Sequence, residues 1–290
     1  MTLRAGLRHR DAQVLGRGAE PTPRVRPCRC SAEHSARYYR FAHALNDAGY
    51  TVHASDHRGH GDSITGTPGD FGAPGFEALI ADMAAYGASL RGEPPLFLFA
   101  HSMGSFAAQS VIVTHSEQYA GVVLSGSTAL DLLAAGMAEA EGPVGLEAFN
   151  AGFEHRTGYE WLSRDETEVD RYVADPLCGF DLPDETVPAL FGAAGTLADP
   201  TALAGIRSGL PLLVVSGSED PLAGGGQLVE VLGQRYRDAG LVDVTVKLYD
   251  GARHEILNET NRDEVTSDVV AWLDAHASGS GTTTGASGLV

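Results

Sequence analysis

The stretch Leu96-Phe97-Leu98-Phe99-Ala100-His101-Ser102-Met103-Gly104-Ser105 decides the architecture. Its apolar start reads as a buried strand, and the helix-like run Ser105–Val113 follows with no linker between them. A strand that passes so directly into a helix must turn sharply. The residues flanking Ser102 then have to be small, or backbone and side chain collide. Gly104 meets that need, and Ala100 stands where a glycine is usual, one methyl larger. Such a turn lifts the Ser102 hydroxyl above the sheet, at a helix N-terminus whose dipole favours developing negative charge.

Outward from this point, short apolar runs alternate with longer helix-like ones, the pattern of a mostly parallel sheet flanked by helices. Strands are predicted at Tyr50–Ser55, Leu96–Ala100, Gly121–Ser125, Leu212–Ser216 and Val244–Tyr249. Helices are predicted at Ala36–Ala48, Phe76–Leu90, Met103–Thr114, Gly226–Ala239 and Arg262–His276. Residues 128–209 break the rhythm: they are rich in Ala, Leu and Phe and hold no convincing strand. They predict a helical cap inserted after the strand at 121–125 and laid over the open end of the sheet, leaving a pocket between two layers. Ser163 and Glu166 have the spacing of a capping box that starts one cap helix. The core is then 32–127 with 210–276, the cap 128–209, and the small polar run 277–290 a flexible tail.

A serine is a poor nucleophile near neutral pH without a base, and the base needs an orienting acid. The strand at Leu212–Ser216 runs into Gly217-Ser218-Glu219-Asp220-Pro221, and the strand at Val244–Tyr249 into Asp250-Gly251-Ala252-Arg253-His254-Glu255. Asp220 is the preferred acid, with Glu219 as its rival on the same loop. His254 is the preferred base among 11 histidines. A carboxylate after a strand more often caps a helix or sits in a solvated turn. The chain order serine, acid, histidine, each after a strand, carries the assignment.

Composition narrows the setting. The chain has 290 residues with 38 acidic against 20 basic ones, a formal net charge of −18, which argues against a nucleic-acid partner. No apolar run approaches the roughly 18 residues that cross a bilayer, and no signal peptide is visible. Three cysteines (Cys28, Cys30, Cys178) build no disulfide framework and point to a reducing, cytoplasmic setting. Cys28-x-Cys30 lacks a second spaced pair, and Gly224-Gly225-Gly226 lacks a following Lys, so neither a metal nor a cofactor is expected.

Taken together, the chain resembles the α/β-hydrolase superfamily, and within it the monoacylglycerol lipase, lysophospholipase and serine aminopeptidase-like group. The resemblance rests on Glu33-His34-Ser35 with Arg37-Tyr38, Gly49-Tyr50-Thr51-Val52, Asp56-His57-Arg58-Gly59-His60-Gly61-Asp62-Ser63, His101-Ser102-Met103-Gly104, Asp220-Pro221 and Gly251-Ala252-Arg253-His254-Glu255. Trp161–Asp165 and Asp175–Phe180 are similar to cap segments of bacterial lysophospholipase-like members. The resemblance spans about residues 32–276. It implies a cofactor-free serine hydrolase acting on a small-molecule ester or lipid, with monoacylglycerol or lysophospholipid first. Ser102 would attack, His254 take the proton and Asp220 hold the imidazole. An alternative is a peptidase that releases an N-terminal residue, which needs an acidic group in the cap for the substrate's amine. The Asp56–Ser63 block is expected to shape its loop, with Gly59 and Gly61 supplying turns and Asp56 pairing with Arg58.

One block departs from the group. Its members enter Glu-His-Ser from an apolar strand ending in His-Gly-x-Gly, whose backbone supplies one oxyanion donor. Here Arg29-Cys30-Ser31-Ala32 stand in that place. By position the donors are the N–H groups of Ser31 and Met103. Residues 1–31 hold seven Arg against Asp11 and Glu20 and show no strand-like period. They are expected to be a basic leader, disordered or translated out of frame. A missing strand would leave a gap in the sheet, so a catalytically impaired product is a further reading.

Overall fold

The computed structural model describes residues 23–28, 32–90, 92, 94–139 and 146–277. Among these residues six strands make one parallel sheet: β1 (Arg24–Cys28), β2 (Thr51–Val52), β3 (Leu96–His101), β4 (Gly121–Ser125), β5 (Leu212–Gly217) and β6 (Val244–Tyr249). Their spatial order is β2-β1-β3-β4-β5-β6. Among the helices, α1 (Tyr39–Asp47), α2 (Phe76–Ser89), α3 (Met103–His115), α9 (Gln227–Asp238) and α10 (Arg262–Ala277) flank the sheet. Between β4 and β5 run α4 (Leu130–Glu139), α5 (Glu166–Ala174), α6 (Thr186–Phe191), α7 (Ala194–Ala198) and α8 (Pro200–Leu203).

Every residue of β3, β4 and β5 is buried, as parallel strands covered on both faces require. Their alternation feeds two cores. Leu98, Ala100, Val122, Leu124, Leu212 and Val214 pack with α2, α3 and α9, while Phe97, Phe99, Val123, Leu213 and Val215 pack with α1 and α10. This is the α/β-hydrolase fold.

The N-terminal expectation is corrected. Arg24–Cys28, assigned above to the leader, form β1 in the interior of the sheet, paired with β2 on one side and β3 on the other, so no gap exists. Arg24 lies opposite Leu96 and Cys28 opposite Ala100. Backbone pairing on two sides replaces the apolar period that Arg24-Val25-Arg26-Pro27-Cys28 lacks, and Val25 is fully buried. Proline in a central strand usually removes a ladder bond. Here the N–H of Arg24 donates toward β3, to the Pro95 carbonyl, while the Val25 carbonyl accepts from His53 on the β2 side. Directions alternate along a strand, so Pro27 faces the β2 side beyond Val52, where that ladder has ended. Cys30, Ser31 and residues 278–290 of the expected tail lie outside the described residues.

Two local expectations also fail. The start of α5 is capped by Asp165, whose carboxylate accepts the Thr167 N–H at 3.0 Å. The Ser163 hydroxyl donates instead to the Asn258 carbonyl at 3.0 Å, a buried contact that takes it from the cap. Asp56 and Arg58 do not pair with each other. Asp56 accepts the N–H groups of Ser35 (2.8 Å) and Asp62 (3.0 Å), and Arg58 reaches Asp82 at 2.7 Å and the Phe71 carbonyl at 2.9 Å. Gly59 and Gly61 do turn at positive φ (+74° and +48°), and a Cβ on Gly61 would overlap the Asp56 carboxylate.

Candidate active site

The C-terminal ends of β3, β5 and β6 bring the chemistry together, where open parallel sheets bind ligands. After β3 the backbone of Ser102 turns at φ +53°, ψ −127°, a conformation costly for a residue with a Cβ. It is held there: the Ser102 N–H donates to Ser125 O at 2.9 Å, and its carbonyl accepts from the N–H groups of Ser105 (2.7 Å) and Phe106 (3.2 Å). Met103 opens α3, so its N–H has no acceptor within the helix and stands beside the serine.

The loops after β5 and β6 supply the partners. His254 Nε2 lies 2.8 Å from Ser102 Oγ, and Nδ1 lies 2.9 Å from Asp220 Oδ2. The same Asp220 oxygen accepts from the Ser216 hydroxyl at 2.9 Å, and Oδ1 accepts from the Leu222 N–H at 2.9 Å. A fixed carboxylate on Nδ1–H places the lone pair of the ring on Nε2, facing the serine hydroxyl. All three side chains are buried, while Glu219 is exposed, and it is Asp220 that meets the His254 ring. Burial acts to lower the pKa of His254. The charge and hydrogen bond of Asp220, with Glu255 and Glu33 further off, outweigh it and raise the pKa above the ordinary imidazole value.

Other contacts went unread in the sequence. Gly126 turns at φ +52°, and a Cβ there would stand 2.8 Å from the His101 ring and 2.9 Å from the His254 ring. The small pair Ser125-Gly126 at the end of a strand was the available signal. His101, buried beside His254 with ring centroids 4.7 Å apart, has its pKa held well below the usual value by burial and by its neighbour. From the segment between β4 and β5, the Trp161 ring lies 4.9 Å from that of His254, tilted by 38°, and the Trp161 carbonyl accepts the His254 N–H at 3.2 Å. Arg253 reaches back to the Glu160 carbonyl at 2.7 Å. The carbonyls of Glu160 and Trp161 thus hold the histidine loop.

A buried charge cluster fastens the segment after Ala32. Arg37 pairs with Glu255, the residue after His254, and lies 3.5 Å from Glu33, which accepts the Tyr38 hydroxyl at 2.8 Å. Above Ser102, a cavity of about 630 Å³ is lined by Phe106, Leu133, Phe149, Trp161, Leu190 and Phe191 among others, a size ordinary for ligand pockets. As for a metal, His34, Asp175 and Cys178 bring donor atoms within 4.8 Å of one another. His34 Nε2 already bonds Asp175 Oδ2 at 2.8 Å, and burial raises the pKa of the Cys178 thiol, which keeps it protonated and a poor ligand.

The chain is similar to known proteins. The model of the family described as serine aminopeptidase, S33, matches residues 21–261. The chain belongs to that family. The match begins inside the stretch first assigned to a leader, in keeping with β1. This S33-family hydrolase is 30% identical over 268 residues to the monoacylglycerol lipase of Mycolicibacterium smegmatis, covering 84% of this chain and 85% of that one. It is 29% identical to the human monoglyceride lipase, with 87% and 82% covered. A carboxyl esterase from Bacillus coagulans, solved with glycerol, superposes with a TM-score of 0.78 at 26% identity, covering 89% and 91%. The chain is a hydrolase of the esterase and lipase type within the α/β hydrolases. Among the described residues no helix is long and apolar enough to cross a membrane.

Proposed function

We propose that this hydrolase cleaves carboxylic esters of apolar acyl chains, of the monoacylglycerol or lysophospholipid type, through an acyl-enzyme on Ser102. One observation carries the reading: the hydrogen-bonded line Ser102–His254–Asp220 opens on a largely apolar cavity. The acyl chain lies between Phe106 on the sheet side and Phe149, Leu190 and Phe191 above it. Ser102 Oγ attacks the ester carbonyl as His254 Nε2 takes its proton, and Asp220 stabilises the imidazolium. The Met103 N–H receives the oxyanion, joined by position in the chain by the N–H of Ser31. His254 returns the proton to the leaving alcohol and then activates the water that frees the acid. No step calls for a cofactor. A free Cys178 thiol favours a reducing compartment, the cytoplasm, as the place of reaction.

A second reading, release of an N-terminal residue from a peptide, draws on Asp181 and Asp184 in the cavity wall, which could meet an amine. A matched panel separates the two. Monoacylglycerols of rising chain length, lysophospholipids and aminoacyl anilides are offered to the wild type and to Ser102→Ala. Turnover of the esters, lost in Ser102→Ala, supports the reading. Turnover of the anilides alone, lost in the same variant, replaces it with the peptidase.

A further inference from the structure

Behind the nucleophile lies a buried polar chain that the mechanism above leaves unused. The Ser105 hydroxyl is 2.6 Å from the carbonyl oxygen of Ser102 and 2.8 Å from the Ser127 hydroxyl. Gln109 Nε2 is 3.0 Å from Ser127 Oγ and 3.3 Å from the Thr128 carbonyl. Ser105, Gln109 and Ser127 are all buried. The two ends fix the direction of the protons, because an amide nitrogen only donates and a carbonyl oxygen only accepts. Gln109 therefore donates to Ser127, Ser127 to Ser105, and Ser105 to the Ser102 carbonyl.

That carbonyl belongs to the peptide unit whose other end is the N–H of Met103. It also accepts the backbone N–H groups of Ser105 and Phe106, as described above. Each bond accepted at the oxygen draws electron density away from the nitrogen and leaves its proton more positive. Linked hydrogen bonds reinforce one another by roughly 10–30% per bond in a low-dielectric interior.

We infer that Gln109, Ser127 and Ser105 form a positioning relay that polarises the Ser102–Met103 peptide and strengthens Met103 as the oxyanion donor. The inference rests on the reading of Ser102 and Met103 given under the proposed function. A serine in the first turn of a helix often bonds back to the carbonyl three residues earlier, and that habit alone explains Ser105. It does not explain Ser127 and Gln109. They bring two further polar side chains out of water, the first from the loop after β4, and line them up behind that bond. The relay also restrains the carbonyl that the turn at Ser102 (φ +53°, ψ −127°) points toward α3.

The test compares the full-length wild type with Ser105→Ala, Ser127→Ala and Gln109→Met. It measures kcat and KM on a chromogenic medium-chain ester. It also measures inhibition by an alkyl boronic acid, which forms a tetrahedral adduct on serine, and by the free fatty acid, which binds without one. Wild-type turnover that vanishes in Ser102→Ala is the control, and without it the parent reading falls and the relay with it. With the control met, Ser105→Ala lowers kcat about ten-fold, a fraction of the 10²–10³ lost with a whole oxyanion donor. Boronate affinity falls by a similar factor, while KM, fatty-acid inhibition and the pH midpoint stay unchanged. Ser127→Ala and Gln109→Met lower kcat by smaller steps. The relay is overturned if folded Ser105→Ala matches the wild type in kcat and boronate affinity, or if KM and fatty-acid binding worsen equally. Should Ser105→Ala fail to fold, Gln109→Met decides by the same readouts, with a kcat loss of about two- to three-fold expected.

Discussion

On one side of Ser102, His254 and Asp220 ride on loops that follow β6 and β5, and the strands that aim the elbow and the acid, β3 and β5, are buried along their whole length. On the other side, the segment from Ala32 to Tyr38 leaves β1 and is fastened by charge. Arg37, with 6% of its side chain exposed, sits between Glu33 and Glu255, while its guanidinium lies 5.0 Å from the centre of the Tyr172 ring. Burial works against the Arg37 charge, and the carboxylates of Glu255 and Glu33 overcome it, raising the pKa. The first wall rests on buried apolar strands held in register. The second depends on matched buried ions, which are costly to unpair. The wall built from ions is the more specific and the more brittle.

The largest effect expected lies on the apolar wall. Asp220→Asn keeps the shape and removes the charge on Nδ1, so kcat falls by about 10⁴-fold, as in other triads. It also tests the electrostatics. In the proposed mechanism the base works as neutral imidazole, so activity should be lost as pH drops through the His254 pKa. In the wild type that midpoint lies above the roughly 6.5 of free imidazole. In Asp220→Asn the largest raising influence is gone, while burial and the weaker pull of Glu255 and Glu33 remain, so the midpoint of kcat/KM moves down. An unmoved midpoint would mean that Asp220 does not set the basicity of His254.

On the charged wall, Arg37→Met removes the guanidinium between the buried carboxylates of Glu33 and Glu255 and leaves their charge uncompensated by it. Urea unfolding should show a loss of about 3–5 kcal/mol. The triple variant Glu33→Gln, Arg37→Met, Glu255→Gln should lose less than the single one, since no uncompensated charge remains. If both lose equally, packing rather than charge holds this wall. The smallest effect concerns Ala32, which turns at φ +55° while its carbonyl accepts from Gly179 N–H and the Tyr172 hydroxyl, each at 3.0 Å. Ala32→Gly relieves about 1–2 kcal/mol of left-handed strain and adds about 0.4–1 kcal/mol of chain entropy on unfolding. A net gain of about 0.5 kcal/mol should appear as a higher urea midpoint.

The same contrast governs how much could be read from residues alone. β3 to β6 and the order Ser102, Asp220, His254 were legible because apolar runs and the turns after them are local signals. β1 was not. Its place comes from two neighbours distant in sequence, Thr51–Val52 and Leu96–Ala100, and Arg24-Val25-Arg26-Pro27-Cys28 carries no period of its own. Glu219 and Asp220 share a loop, and only the fold shows which one turns inward. Ser105, Gln109 and Ser127 look like ordinary polar residues until β4 and α3 bring them together. Trp161 was noted as part of the cap, but its contact with His254 joins residues far apart in the chain.

The most direct test of the central claim is fluorophosphonate labelling of the folded, full-length protein, with the modified peptide mapped by mass spectrometry. The account predicts one adduct, on Ser102, absent from Ser102→Ala and slowed in Asp220→Asn. A chain that circular dichroism shows to be folded, yet takes no label or takes it on another residue, would contradict it.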